Sequence, residues 1–197
     1  MKTNPVQSIA RSIEDFLSQK KDSSLIQKTL EGRKEAFAEL MALHQKRVEA
    51  LGYSFFHNRT DVEDFVQDVF LKAYNSLATF KHQSKFSTWL TRIAYTTAVN
   101  AKNRTPLLDS IADETQLESA YLTPEEAEIR RITAQAVKQA MENLPEQYYS
   151  CLSLYFFYDL SYSEIAIITD LPVNTIKSHI FQAKKILRQK LMAYSET

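Results

Sequence analysis

The stretch "SYSEIAIITDLPVNTIKSHIFQAKKIL", Ser161 to Leu187, decides how this chain is read. Ser161 and Glu164 stand at capping-box spacing, so a short helix should begin there, carrying Ile165, Ala166 and Ile168. "TDLP" then breaks the periodicity. Beyond it Val173, Ile176, Ile180, Ala183 and Leu187 recur on one stripe. At about 100° per residue the opposite face holds Asn174, Lys177, Ser178, Phe181 and Lys185. Two helices around a tight turn, the second with a polar and basic outer face, have the pattern of a helix-turn-helix. Lysines neutralise phosphate there, while Asn174 and Ser178 have the donors and acceptors to reach base edges. Phe181 is an aromatic exception on that face: it can meet thymine methyl groups or be ordinary exposed apolar surface.

Working upstream, "TPEEAEIRRITAQAVKQAMENLP" predicts another helix. Thr123 is its N-cap, Pro124 its first residue, and acids fill its first turn. Ile129, Ile132, Ala136, Ala140 and Leu144 follow at helical spacing. Pro145 ends that helix and opens the next, "EQYYSCLSLYFFYDL", whose aromatic run is expected in the core. Cys151 lies in that run as the single cysteine, which points to a buried structural thiol in a reduced, cytoplasmic setting.

The first half of the chain has a different organisation. "KEAFAELMALHQKRVEAL" sets Phe37, Leu40, Met41, His44, Val48 and Leu51 on one stripe, with His44 expected as a packed histidine. "DVEDFVQDVFLKAYNSL" buries Val62, Phe65, Val66, Val69, Phe70 and Ala73 and turns Asp64, Gln67, Asp68, Leu71 and Asn75 outward. An outward leucine among acids and amides suits a protein-docking surface. "KHQSKFSTWLTRIAYTTAVNAKNR" is a basic loop and then a helix, capped by Ser87. Leu90, Ile93, Ala94, Thr97 and Ala101 face in, while Arg92, Tyr95, Thr96, Val99 and Asn103 face out. Basic residues beside aromatic ones are suited to single-stranded nucleic acid, although Phe86 and Trp89 are expected mainly in the core.

Composition bounds the rest. The chain has 197 residues, 44% of them hydrophobic, with two glycines and five prolines. No alternating strand pattern of useful length occurs, so the fold class is all-α. Lys plus Arg number 24, as do Asp plus Glu, yet the charges are segregated. Val69–Leu108 and Lys177–Leu191 carry bases and no acid; Asp109–Glu128 carries acids and no base. Residues 105–123 read as a flexible acidic linker between two small helical domains, 25–104 and 124–197. An extension, residues 1–24, precedes them, with Ile9, Ile13, Phe16 and Leu17 spaced to pack on the first domain. Glu14 and Asp15 argue against a signal peptide, and no run reaches the roughly 18 apolar residues of a membrane span. Neither metal-ligand spacing, nor a glycine-rich phosphate loop, nor a hydrolase nucleophile motif is present. The expectation is a protein with no catalytic residues, no metal and no cofactor.

Four segments in this order, "DVEDFVQDVFLKAY", "FSTWLTRIA", "LPEQYYSCLSLYFFYDLSYSEIA" and "LPVNTIKSHIFQAKKILRQKL", resemble the signature segments of bacterial sigma factors of the extracytoplasmic-function type. The resemblance runs from about Leu25 to Leu191, the linker excepted. It implies a subunit that binds core RNA polymerase, directs promoter-specific initiation and answers to an anti-sigma factor. The acidic helix resembles the surface that clamps the coiled coil of the largest polymerase subunit, with Asp64, Gln67, Asp68 and the outward Leu71. The basic loop and helix resemble the element that takes the −10 promoter element, with Lys81, His82, Gln83, Ser84, Lys85, Arg92, Tyr95 and Thr96. The helix-turn-helix resembles the −35 reader, with Asn174, Thr175, Lys177, Ser178, His179, Phe181, Gln182 and Lys185. The chain departs from the common pattern at Asp170 in the turn, at His179 and Gln182, and at Thr96 and Asn100.

Three other readings compete. A stand-alone helix-turn-helix regulator with a helical ligand or dimerisation domain would bind its operator tightly alone, and leaves the basic first domain unexplained. A recombinase-like enzyme needs a nucleophile or carboxylate cluster. A pure adaptor does not account for the segregated charge.

Overall fold

A computed structural model describes residues 5–56, 58–104, 132, 135–137, 139–141 and 143–194, and every regular element among them is helical. The expected linker, its flanking Thr123 and Pro124, Ile129 and the side chains of Ile9 and Asn103 lie outside the described residues. The chain divides into two compact units, Met1–Asp113 and Glu114–Thr197.

The first unit is a bundle of α1 (Pro5–Leu30), α2 (Lys34–Phe55), α3 (Arg59–Ser76) and α4 (Phe86–Arg104), with a 3-10 turn at Leu77–Thr79. α2 packs on α1, α3 and α4, and α3 also packs on α4. The core is filled by Ile26, Leu40, Leu51, Val62, Val69, Ala73, Leu77 and Leu90, all nearly inaccessible. Each such aliphatic side chain larger than alanine contributes roughly 1.5–3 kcal/mol on burial. All six apolar residues expected on the inner face of α3 are buried. Asn58 caps this helix by accepting from the Asp61 amide at 2.8 Å, a start signal the hydrophobic pattern does not reveal. α1 ends at Gly32, whose φ of +93° makes the turn that lets the Arg33 amide reach back to the Lys28 carbonyl at 3.1 Å. Gly52 has a different role. A Cβ on it would lie 2.9 Å from Phe65 Cδ1 and 3.0 Å from Val62 Cγ1, so α3 approaches α2 at a spot only glycine leaves open.

Two local expectations are corrected here. α4 begins two residues early, at Phe86, with the Lys85 carbonyl accepting from the Thr88 and Trp89 amides. Ser87 therefore lies inside the first turn and does not cap it. The second correction concerns α1, which runs unbroken through position 24. Ile13, Phe16 and Leu17 do not pack on the domain, being 55%, 57% and 59% exposed. The docked part of α1 starts instead at Asp22, whose buried carboxylate Oδ1 lies 3.0 Å from Nε2 of the buried His44. His44 is thus the packed histidine expected from its stripe.

The second unit holds α5 (Glu146–Phe156), α6 (Tyr162–Thr169) and α7 (Val173–Tyr194), preceded by helical backbone at 135–137 and 139–141. Both α5 and α6 pack on α7. Ile165, Ile168, Ile176, Ile180 and Ala183 are buried as their spacing predicts. Ile132 is exposed, and the aromatic run of α5 splits: Leu152, Leu154 and Tyr158 go in, while Phe156 and Phe157 stay out. Among the described residues no helix is long and apolar enough to cross a membrane.

The capping box of α6 is complete. The Glu164 amide donates to Ser161 Oγ at 3.3 Å, and the Ser161 amide donates to Glu164 Oε2 at 2.9 Å. Ser161→Ala should cost about 1 kcal/mol by orphaning that amide. The expected result is a lower urea midpoint in the circular-dichroism transition, with no change in the fluorescence of Trp89, the single tryptophan, which sits in the other unit. An unchanged midpoint in both signals would deny the cap its role.

Candidate functional site

Three exposed faces carry the chemistry, two in the first unit and one in the second. The first lies on α3, where Asp64, Gln67, Asp68 and Leu71 are all exposed, Leu71 by 60%. Asp68 is already engaged: Lys72 Nζ donates to its Oδ2 at 2.6 Å and to Thr97 Oγ1 on α4 at 3.2 Å. Beside Gln67 a groove of about 340 Å³ opens between α2 and α3, floored by Val62 and Val66 and edged by Gln45, Glu49, Tyr53, Arg59 and Glu63. The α2 edge of this groove was not singled out from the sequence; the exposed Tyr53 was the available signal. Arg59 donates to Glu63 at 2.6 Å, and that hydrogen bond holds its guanidinium above the ordinary arginine pKa.

The second face is the loop at 81–85 with the outer side of α4. Lys81, His82 and Gln83 are exposed, while Ser84 and Lys85 are half-buried. Rings fix both ends of the loop. Phe80 packs on Phe86 at 5.7 Å and on Trp89 at 5.3 Å, and the His82 ring returns to Phe80 at 4.6 Å. His82 makes that return with φ of +55°, in the left-handed region where a non-glycine residue is strained. Phe86 is buried and meets the His44 ring edge-on at 5.2 Å, so the loop is rooted in the Asp22–His44 contact. Along α4, Arg92 and Tyr95 are half-buried and Thr96 is exposed. Tyr95 leans on Phe55 at 6.0 Å, and the Thr96 hydroxyl donates back to the Arg92 carbonyl of its own helix. Lys85 is not free: its ammonium donates to Asp15 Oδ2 at 2.8 Å.

The third face is the outer side of α7. Asn174, Lys177, Ser178, Phe181 and Lys185 are exposed together, Phe181 by 65%. Thr175, His179 and Gln182 are half-buried on a neighbouring flank. His179 is turned to α5, its ring 5.2 Å from that of Tyr148 and its Nδ1 3.7 Å from Cys151 Sγ. Burial pushes the Cys151 thiol up to about 11, so it stays protonated and inert at neutral pH. On the other flank Tyr155 and Tyr162 stack at 5.1 Å with 12° between their planes. Lys177 lies over Tyr162 at 5.9 Å, and Lys184 over Tyr155 at 5.2 Å and Phe156 at 5.0 Å. A hydrogen bond with Tyr155 holds the Tyr162 phenol above its ordinary value, so the Tyr162 hydroxyl stays protonated at neutral pH. Lys184 and these two tyrosines extend the basic face beyond the residues read from spacing. Lys184 was legible as the i+7 partner of Lys177 in an acid-free run.

Comparison with known proteins bears on all three faces. Residues 40–105 match the family "Sigma-70 region 2", and residues 134–187 match "Sigma-70, region 4". The chain is 34% identical over 186 residues to the RNA polymerase sigma-H factor of Pseudomonas aeruginosa, covering 89% of this chain and 96% of that protein. It is 35% identical over 181 residues to the ECF RNA polymerase sigma-E factor of Haemophilus influenzae, covering 86% and 95%. The sigma-E factor of Escherichia coli K12 is 36% identical over 180 residues, with coverage of 86% and 94%. In fold, the chain is similar to CnrH in its complex with the cytosolic domain of CnrY, with a TM-score of 0.64 and 23% identity over 88% of this chain and 98% of that one. It is likewise similar to the Bartonella quintana sigma factor RpoE bound to the anti-sigma factor NepR, at a TM-score of 0.61 and 23% identity over 79% and 96%. With both sigma-70 regions matched in order and relatives aligned over nearly their whole length, the chain belongs to the extracytoplasmic-function sigma factors, the factors that direct RNA polymerase in transcription initiation.

Proposed function

We propose a division of labour among the three faces. Asp64, Gln67 and Leu71 on α3 dock on core RNA polymerase, with Asp68 contributing less because Lys72 already holds it. The loop Lys81–Lys85, with Arg92, Tyr95 and Thr96, takes the −10 element and the opened non-template strand. The outer face of α7, through Asn174, Lys177, Ser178, Phe181 and Lys185, reads the −35 element. Thr175, His179 and Gln182 serve that helix from its flank, His179 chiefly by setting its seat on α5. Residues 25–104 and 124–197 are the two working domains and 105–123 the linker between them. The protein makes and breaks no covalent bond itself; phosphodiester synthesis belongs to the polymerase it recruits. Both fold neighbours were solved with a partner protein, one described as an anti-sigma factor, and control by such a partner is part of the proposal.

The observation that carries the reading is the pairing within one chain of two DNA-suited helices, α4 and α7, in separate units, with an exposed acid, amide and leucine face beside the first. Opening DNA requires unstacking bases, at a cost of a few kcal/mol for each one extruded. A loop already shaped beside Arg92 and Tyr95 offsets that cost with contacts to the freed strand. The net charge of zero is then no contradiction, since polymerase supplies much of the affinity that a lone basic protein would need.

The decisive experiment adds the purified protein to bacterial core polymerase and measures transcription from DNA selected out of a random pool. Promoter-specific initiation is expected. Active core without such initiation, together with tight operator binding by the protein alone, would favour a stand-alone regulator. Within this frame Lys177→Ala should remove one phosphate contact and lower the slope of log affinity against log salt by about 0.9. An unchanged slope in a salt series of duplex binding would take Lys177 off the phosphate backbone.

A further inference from the structure

The first half of α1 is built unlike the second. From Asp22 onward the helix is docked, with Asp22, Leu25, Ile26 and Thr29 all buried. Every residue from Ile13 to Gln19 is exposed. By helical spacing Asp15, Ser18 and Gln19 continue the flank that Asp22, Leu25 and Ile26 use for docking, while Ile13, Phe16 and Leu17 lie opposite. Between Ile13 and Gln19 the helix therefore turns polar groups to the bundle and leaves its apolar side in solvent. What does reach the bundle is the Asp15 carboxylate, which accepts from Lys85 Nζ at 2.8 Å across a separation of 70 residues. Asp15 and Lys85 are 54% and 39% exposed, so the pair stays open to exchange with solutes.

We propose that the amino-terminal half of α1 is a charge-mimicking arm: Asp15 occupies on Lys85 the place that a backbone phosphate of the opened strand takes, and the strand must displace it. The inference rests on the reading of Lys85 as a DNA contact. A carboxylate and a phosphodiester each offer two anionic oxygens to an ammonium, so they are alternatives for the same donor. Exposed pairs of this kind are weak and screened by salt. A strand that brings further contacts to Lys81, Arg92 and Tyr95 outcompetes one carboxylate, whereas a strand in poor register does not. The arm thereby raises the threshold for stable engagement at the loop.

The test uses holoenzyme made from core polymerase and the full chain. The probe is a fluorescein-labelled single-stranded oligonucleotide carrying the non-template −10 segment of a promoter the holoenzyme selects from a random pool. Asp15→Asn should tighten binding about two- to fivefold at low salt, with the gain fading as salt rises. Lys85→Ala should weaken binding, and adding Asp15→Asn to it should then change nothing. Glu14→Gln removes the same charge from the neighbouring exposed position and should leave affinity at the wild-type value. If Asp15→Asn fails to tighten binding while Lys85→Ala weakens it, the arm is not a competitor. Equal tightening by Glu14→Gln would reduce the effect to net charge and overturn the pairing. If Lys85→Ala leaves binding unchanged, the reading of Lys85 itself fails, and the inference falls with it.

Discussion

Gly52→Leu should destabilise the first unit by about 3 kcal/mol, the upper end of what overpacking costs in a close-packed core. Even the first added carbon would sit 2.9 Å from the Phe65 ring and 3.0 Å from Val62, and both side chains are buried with nowhere to retreat. The remaining three carbons would have to part α2 from α3. Total stabilities are only about 5–15 kcal/mol, so a loss of this size is a large share of the whole. Gly52→Ala separates the two effects involved. Alanine gains up to about 1 kcal/mol of helix propensity, against a clash of one methyl group, so its net cost should be small. Trp89 fluorescence in a urea titration reads this unit alone, because the chain has no other tryptophan. Wild-type midpoints for Gly52→Leu would mean that α2 and α3 do not meet at this spot. Polymerase binding should fall along with stability, since the proposed docking face is on α3.

The second large effect is expected where stability should not move. Asp64→Ala with Gln67→Ala replaces two exposed side chains on α3, neither of which holds the bundle together. If these are anchors of the polymerase interface, each is worth about 2 kcal/mol, and affinity for core polymerase should fall more than about 30-fold. Asp68→Ala should cost less, because it also releases Lys72 from a 2.6 Å ion pair and so removes a competing contact. The measurement is competition for core polymerase against the labelled wild-type protein, paired with a Trp89 unfolding curve. Full binding by the double variant would remove this face from the interface. Lost binding together with lost stability would assign the residues a structural role.

How much of this was legible follows from the physics of each signal. Helix type and inward faces were legible because burial imposes a period: the stripes of α3 and α7 predict their buried residues nearly one for one. The capping box of α6 was legible because it is local, two side chains three residues apart. Single boundary residues were not. Ser87 has the right chemistry for a cap, but burial of Phe86 pulls the start of α4 two residues earlier. Apolar spacing alone also misplaced the first half of α1. Ile13, Phe16 and Leu17 have the pattern of a core face without a core to meet, and the polar flank is the one that touches the bundle. Of the candidate site, the outer faces of α3 and α7 were readable as what remains once the inner stripes are removed. Contacts between residues far apart in sequence, such as Asp15 with Lys85 or Asp22 with His44, leave no trace in a periodic pattern.

The rings around the loop at 81–85 have a consequence for when order is acquired. Fixing one flexible residue costs about 1–2 kcal/mol in conformational entropy, so a five-residue loop that formed only on DNA would weaken binding substantially. Here Phe80, Phe86 and Trp89 fix the shape as the bundle folds, and even the strained backbone of His82 is stabilised by the ring stack it returns to. On the proposed reading of this loop, DNA therefore meets a finished surface. The pace of engagement then depends on encounter and on duplex opening, without waiting for the loop to search for its conformation. Selectivity at the loop is inherited from the rigidity of the hydrophobic core beneath it, and loosening that core would blur what the loop accepts before it unfolded the domain.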